Sequence, residues 1–208
     1  MIDSCDAALA QGPPSAKLYE LRGLARVGRN DFAGAITDYT LALASRPDWA
    51  RVHANRGWAY LFANAPELAF QDFDAVVRLA PSDPDGYGGR GAARVRLRQH
   101  RAAASDVEES LRRGEPTPRR LYNAARTYAQ AAAVAVVEVR RRGHPARRDA
   151  LTYETRAATL LGRALELTPA DRRATFWHEV VAPDDALSAL RKWTRFAALA
   201  RMAAAPSH

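Results

Sequence analysis

The chain holds a single cysteine, Cys5, so no intrachain disulfide can form, and its five histidines, at 53, 100, 144, 178 and 208, fall at no metal-ligand spacing. Its longest apolar run, Ala131 to Val137, is far shorter than the roughly 18 to 20 residues needed to cross a bilayer, so no membrane association is expected. The start, MIDSCDAALAQGPP, carries acid where a signal peptide would carry base, which points to a cytoplasmic protein. Lysine is nearly missing: only Lys17 and Lys192 occur, so almost all of the 31 positive charges are arginine. Reaction centres are scarce too. Gly86 to Gly91 spell GYGGRG and satisfy the phosphate-cradling G-x-G-x-x-G, but the turn residues SDPD stand where the required strand should be. His178 and Glu179 do not complete H-E-x-x-H, and neither G-x-S-x-G nor a kinase catalytic loop is found. These absences predict no enzyme, no cofactor and no metal.

What remains is 208 residues with 48% hydrophobic and 26% charged content, enough for a buried core. The net charge of +8 is uneven: residues 1–80 hold 8 Lys and Arg against 9 Asp and Glu, while residues 81–208 hold 23 against 14.

A repeat organises the chain. Arg22, Gly23, Ala35, Asp38 and Pro47 are matched by Arg56, Gly57, Ala69, Asp72 and Pro81, each 34 residues on. A third copy follows with Arg90, Gly91, Ala103 and Asp106, and a fourth begins at Pro118 with Ala125 at the glycine position. Counting each repeat from Ala16, Ala50, Pro84 and Pro118, small residues stand at position 8 in all four and at position 20 in the first three. Tyr39, Phe73 and Val107 stand at position 24. Two apolar stretches at 3.6-residue spacing in each repeat, such as Trp58, Leu61, Phe62 and then Leu68, Phe73, Val76, Val77, predict two amphipathic helices. The small residues let their backbones approach closely, the large one fills the adjoining space, and the proline at position 32 ends the second helix. The recurring Arg and Asp at positions 7 and 23 predict a ladder of ion pairs between or within repeats.

This pattern resembles the tetratricopeptide repeat, in a bacterial subclass carrying Arg-Gly and Asp. The resemblance implies an all-α fold, a right-handed solenoid of antiparallel helix pairs, over most of residues 1–169. The domains read from it are a half repeat at 1–15, repeats at 16–49, 50–83 and 84–117, an interrupted repeat at 118–169, and a C-terminal helical cap at 170–208. Residues 1–15 look like a second helix lacking its first, either a cap or the continuation of a larger, multidomain, kinase-like protein. The fourth repeat carries 20 extra residues, so its first helix is expected to run to about Arg141, with a break at Gly143-His144-Pro145 and a second helix from near Arg148 to Leu167. Two further helices hinged at Pro183 are expected to cover the last apolar face with Phe176, Trp177, Trp193 and Phe196, Asp184 capping the second. Gly86, Gly88 and Gly89 are expected to loosen the third repeat.

In this family the first helices line a groove for a partner peptide. The resemblance maps the groove onto Glu20, Leu24, Val27, Arg51, Ala54, Trp58, Leu61, Phe62, Ala92, Val95, Arg96, Tyr122, Arg126 and Gln130. Family members that grip a terminal carboxylate carry lysine and asparagine where this chain has Glu20 and Leu24, so that clamp does not transfer. Aromatic anchors beside Arg96 and Arg126 instead suit an acidic, partly apolar protein or peptide segment. The alternatives are a basic RNA-binding helical repeat, given 15 arginines against five acids from Arg90 to Arg148, and self-association through residues 131–139.

Overall fold

The computed structural model describes residues 1–13, 15–142 and 144–204, with side chains outside 139–146. The described residues are all-α, a solenoid of helix hairpins without a strand. In chain order the helices are α1 (Ile2–Gln11), α2 (Ala16–Val27), α3 (Phe32–Ser45), α4 (Ala50–Phe62), α5 (Pro66–Leu79), α6 (Pro84–Arg96), α7 (His100–Arg113), α8 (Pro118–Arg142) and α9 (His144–Leu167). A short α10 (Ala170–Thr175), a π-helical turn over Phe176–Val181, a 3-10 segment over Asp185–Leu190 and α11 (Thr194–Ala204) complete the described residues. Among the described residues no helix is long and apolar enough to cross a membrane. Two compact bodies, Met1–Ala93 and Arg94–His208, divide the residues between them.

In the first body the hairpins α2–α3 and α4–α5 close on small-against-large contacts. A Cβ at Gly23 would stand 2.6 Å from Tyr39 Cε1, and one at Gly57 3.0 Å from the Phe73 ring, so glycine is what lets the aromatic faces come this close. Ala35, Ala69 and Phe73 are wholly buried beside them. Two glycines of GYGGRG have a packing role beside their low helix propensity. A Cβ at Gly89 would lie 2.1 Å from Phe73 Cε1 and one at Gly86 2.8 Å from Val76 Cγ1, so their absence of side chain is what lets α6 lie on α5.

The charge ladder lies inside these hairpins. Arg22 donates from Nε and Nη2 to Asp38 at 2.6 to 3.1 Å, and Arg56 donates from the same two nitrogens to Asp72 at 2.8 Å. The remaining guanidinium nitrogen reaches back one hairpin: Arg22 Nη1 meets Asp6 at 2.5 Å, Arg56 Nη1 meets Thr40 at 3.0 Å, and Arg90 Nη1 meets Asp74 at 2.9 Å. One arginine therefore ties its own hairpin and the preceding one. In the second body Asp106 takes Arg94 Nη1 at 2.8 Å, just as Arg26, at the same register position, reaches Asp38 at 2.9 Å.

Connections within the first three hairpins share a device the periodicity did not announce. Asn30, Asn64 and Arg98, each 34 residues apart, are left-handed at φ 60°, 57° and 63°. The following N–H donates to the carbonyl five residues back, Asp31 to Arg26, Ala65 to Tyr60 and Gln99 to Arg94, at 2.8 to 2.9 Å. That closure satisfies carbonyls that the helix end would leave open. Asp31 Oδ1 then accepts from Gly34 N–H at 2.9 Å to start α3, and Pro66 opens α5.

In the second body α8 and α9 form the longest hairpin. Of the expected break at Gly143-His144-Pro145, Gly143 lies outside the described residues, whereas His144 and Pro145 are helical. α9 starts at His144, four residues before the expected Arg148, because Pro145 falls in a first turn, where its missing N–H costs nothing. Ala131, Ala132 and Ala135 are fully buried, so much of the apolar extension is covered within the chain, while Val136 and Val137 stay exposed. The C-terminal cover also differs from the expected pair of regular helices: the residue after Pro183 opens a 3-10 segment, and α11 starts only at Thr194. Trp177 is buried with its ring 5.0 Å from Phe196, but Val181, Leu187 and Leu190 complete the cover, while Phe176 and Trp193 are half-buried.

Candidate protein-interaction surface

The first helices of the hairpins present the predicted groove residues in two groups, one in each body. In the first, Glu20 is 1% exposed, and its carboxylate accepts Lys17 Nζ at 2.5 Å and pairs with Arg51 Nη2 at 2.8 Å. A buried carboxylate requires such partners, and once they are engaged the cations are no longer unpaired on that face. Past Glu20 the surface becomes apolar. Leu24 is 43% and Phe62 58% exposed, Val27, Ala54, Trp58 and Ala92 are half-buried, and Phe32 stacks on Phe62 with ring centroids 4.9 Å apart. Trp58 rests edge-on against Phe73 at 5.2 Å, so it is both a core contact and a surface one. Leu61 is buried and offers little to a ligand.

In the second body Val95 is likewise buried, Gln130 is half-buried and Arg96 is exposed. Tyr122 and Arg126, on successive turns of α8, converge on one carboxylate from the C-terminal segment. Tyr122 Oη donates to Asp184 Oδ2 at 2.6 Å, and Arg126 Nε donates to the same oxygen at 2.6 Å. The other oxygen, Oδ1, accepts from Ala186 N–H at 3.0 Å and caps the 3-10 segment, the role read for Asp184 from the sequence. Phe176 meets the Tyr122 ring edge-on at 5.7 Å. Burial first, and then the bond to Asp184, push the Tyr122 hydroxyl well above its ordinary value. Partial burial and then the nearby Arg126 charge lower Arg96, so the two guanidinium groups sense each other on this face.

Reading by repeat position found Tyr122 and Arg126 but not their occupant, because Asp184 lies 58 residues beyond Arg126 and outside the repeat. Sequence reasoning also missed a cleft of about 580 Å³ between α7, α8 and α9, lined by Tyr128, Leu151, Tyr153, Arg156 and Glu108 among others. There Arg156 donates two bonds of 2.9 Å to Glu108, which also accepts Tyr128 Oη at 2.6 Å. Among the described residues no group of three His, Cys, Asp or Glu side chains could hold a metal ion.

No family model matches the chain. Over 85 residues, 41% of its length, it is 35% identical to Hsc70-interacting protein 1 of Drosophila melanogaster. The matched stretch spans only 22% of that relative. Among solved structures it is similar to YrrB, described as a TPR protein with an unusual peptide-binding site, with a TM-score of 0.54 at 17% identity over 81% of this chain and 94% of that one. It is also similar to the first TPR of Spaghetti (RPAP3) bound to the HSP90 peptide SRMEEVD, with a TM-score of 0.50 at 22% identity over 60% of this chain and 93% of that one. At these identities the likeness is one of fold: the hairpins are those of a tetratricopeptide-repeat solenoid.

Proposed function

We propose that this chain is a non-catalytic protein-interaction module, a scaffold that binds a segment of a partner protein against the first-helix faces of its hairpins. The observation that carries this reading is the exposure of Leu24 and Phe62, with Trp58 between core and surface, on helices whose cations are already held by the chain's own acids. Aromatic and aliphatic anchors of this kind supply most of the binding energy in peptide grooves. Two solved structures of the same fold, one bound to an HSP90 peptide and one described as having an unusual peptide-binding site, support the same class of function.

The partner is a segment with an apolar stretch seated on α2 and α4. Its acidic residues, expected from the arginines, would compete with Glu20 for Lys17 and Arg51 and with Asp184 for Arg126. The apolar share therefore sets the affinity. A test selects binding peptides from a random display library on the intact chain, then measures their affinity for the wild type and for Trp58→Ala and Phe62→Ala. Each substitution is expected to weaken binding by more than about 1 kcal/mol with helicity unchanged. Equal affinities would remove this face from consideration.

The specific observation favouring a second reading, RNA binding, is the surplus of 22 Lys and Arg over 12 Asp and Glu in residues 94–208. Ion pairs already engage Arg94, Arg101, Arg112, Arg113, Arg126, Arg156 and Arg191, which lessens it. A salt titration separates the two, because phosphate binding weakens steeply with ionic strength and apolar seating does not.

A further inference from the structure

The acid held by α8 comes from this chain itself. Val181, Asp184, Leu187 and Leu190 follow one another at intervals of three residues, and the three apolar ones are fully buried in the core of the second body. Asp184 sits among them with its side chain 12% exposed and both oxygens bonded. The same Tyr122 hydroxyl lies 3.2 Å from the Val180 carbonyl, so its one proton is shared weakly with the backbone of the segment as well as with its acid. The positions doing the reading, Tyr122 and Arg126, are those that face a ligand in the proposed groove.

We propose that the first-helix face of α8 is a carboxylate-recognition site whose resident ligand is the segment Phe176–Leu190, and that it takes in trans a peptide presenting an acid with apolar residues three before and three and six after. This rests on the reading that first-helix faces are the binding surface, and it adds the ligand pattern of one such face. The geometry supports a whole-segment ligand over a lone carboxylate. A free acid replaces only the bonds to Tyr122 and Arg126, whereas a segment of the same pattern also refills the sites of Val181, Leu187 and Leu190 and restores what opening removes. The Arg126 guanidinium and the Tyr122 hydroxyl, both aimed at one carboxylate oxygen, leave the site attractive to acid when the segment lifts.

Asp184→Asn separates the latch from the fold. Asparagine keeps an oxygen for the Ala186 N–H, and it is as good a cap as aspartate, but it presents no charge to Arg126. The probe is a fluorescein-labelled peptide of residues 176–190 with blocked ends, titrated against the intact chain. Asp184→Asn is expected to bind it about tenfold more tightly than the wild type, because the fraction of open sites rises by that factor. The gain is expected to vanish with Arg126→Gln added, or with a probe carrying Asp184→Ala. In the wild type, saturating probe is expected to speed amide exchange across residues 182–190 as the resident segment is displaced. No gain in Asp184→Asn, a gain that survives Arg126→Gln, or bound probe with unaltered exchange each overturns the proposal, as does no binding to either chain. Such a failure leaves the Trp58→Ala measurement untouched, so the two readings fail separately.

Discussion

Arg56 and Asp72 face each other from the two helices of one hairpin and share two hydrogen bonds of 2.8 Å, while His53 adds a third contact of 2.8 Å to the same carboxylate. Asp72 is 3% exposed, so its charge is compensated almost entirely by these neighbours. Burial works against the charge of Arg56, but the bonds to Asp72 outweigh it and hold the guanidinium more firmly protonated than usual. Asp72→Ala leaves that buried cation without its partner. It is expected to cost about 3 kcal/mol in urea melts, against less than about 0.5 kcal/mol for the exposed Asp48→Ala. Equal losses would show that the ladder contributes nothing to the hairpin.

A second expectation concerns close approach. Because a Cβ at Gly89 would sit 2.1 Å from a Phe73 ring that is itself fully buried, Gly89→Ala cannot be absorbed by a flexible chain end. The substitution improves helix propensity by up to about 1 kcal/mol yet is expected to destabilise the protein by about 1 to 3 kcal/mol through overpacking. A thermal melt shifted upward would refute the packing account.

The left-handed residues give a change of opposite sign. Asn30 and Asn64 tolerate φ near 60°, whereas Arg98 holds the same conformation with a side chain that disfavours it. Arg98→Gly is expected to raise stability by about 0.5 to 1 kcal/mol, and Asn64→Gly by less. Matching melting curves for wild type and Arg98→Gly would count against strain at this turn.

The hairpins were legible in the sequence because their contacts are local and periodic: Gly57 meets Phe73 only 16 residues away, and the same offset returns in the preceding repeat as Gly23 and Tyr39. The ladder was legible for the same reason in the first two repeats, whereas in the third Asp106 takes Arg94, four residues beyond the marked Arg90. The turn at position 15 was half visible, since Asn30 and Asn64 suit it and Arg98 conceals it. The seat of Asp184 was not visible, because the contact joins residues with no shared period and the segment carrying it leaves the 3.6-residue spacing for π-helical and 3-10 turns. Glu20 was read as a ligand contact because its register position faces the groove, and position alone does not reveal that Lys17 and Arg51 close over it.

The pair at the cleft of the second body offers a dependence on pH. Burial raises the Glu108 pKa, but the two bonds from Arg156 and the one from Tyr128 outweigh it, leaving it below the ordinary glutamate value of 4.5. A carboxylate whose folded value is depressed stabilises the protein above its unfolded value, and that contribution is lost as pH falls through the folded one. Glu108→Gln lacks the charge at every pH. Its stability deficit against the wild type is therefore expected to be constant from pH 7 to about 5 and to shrink on further acidification, as the wild-type carboxylate is protonated. The Glu108 side chain is only partly buried, at 48% exposure, so screening keeps the effect small, and high salt is expected to reduce the deficit at pH 7 as well. Urea melts of both proteins between pH 3 and 7 measure it. A deficit that stays the same at pH 3 would mean that Arg156 and Tyr128 hold the side chain by shape and hydrogen bonding, with its charge immaterial.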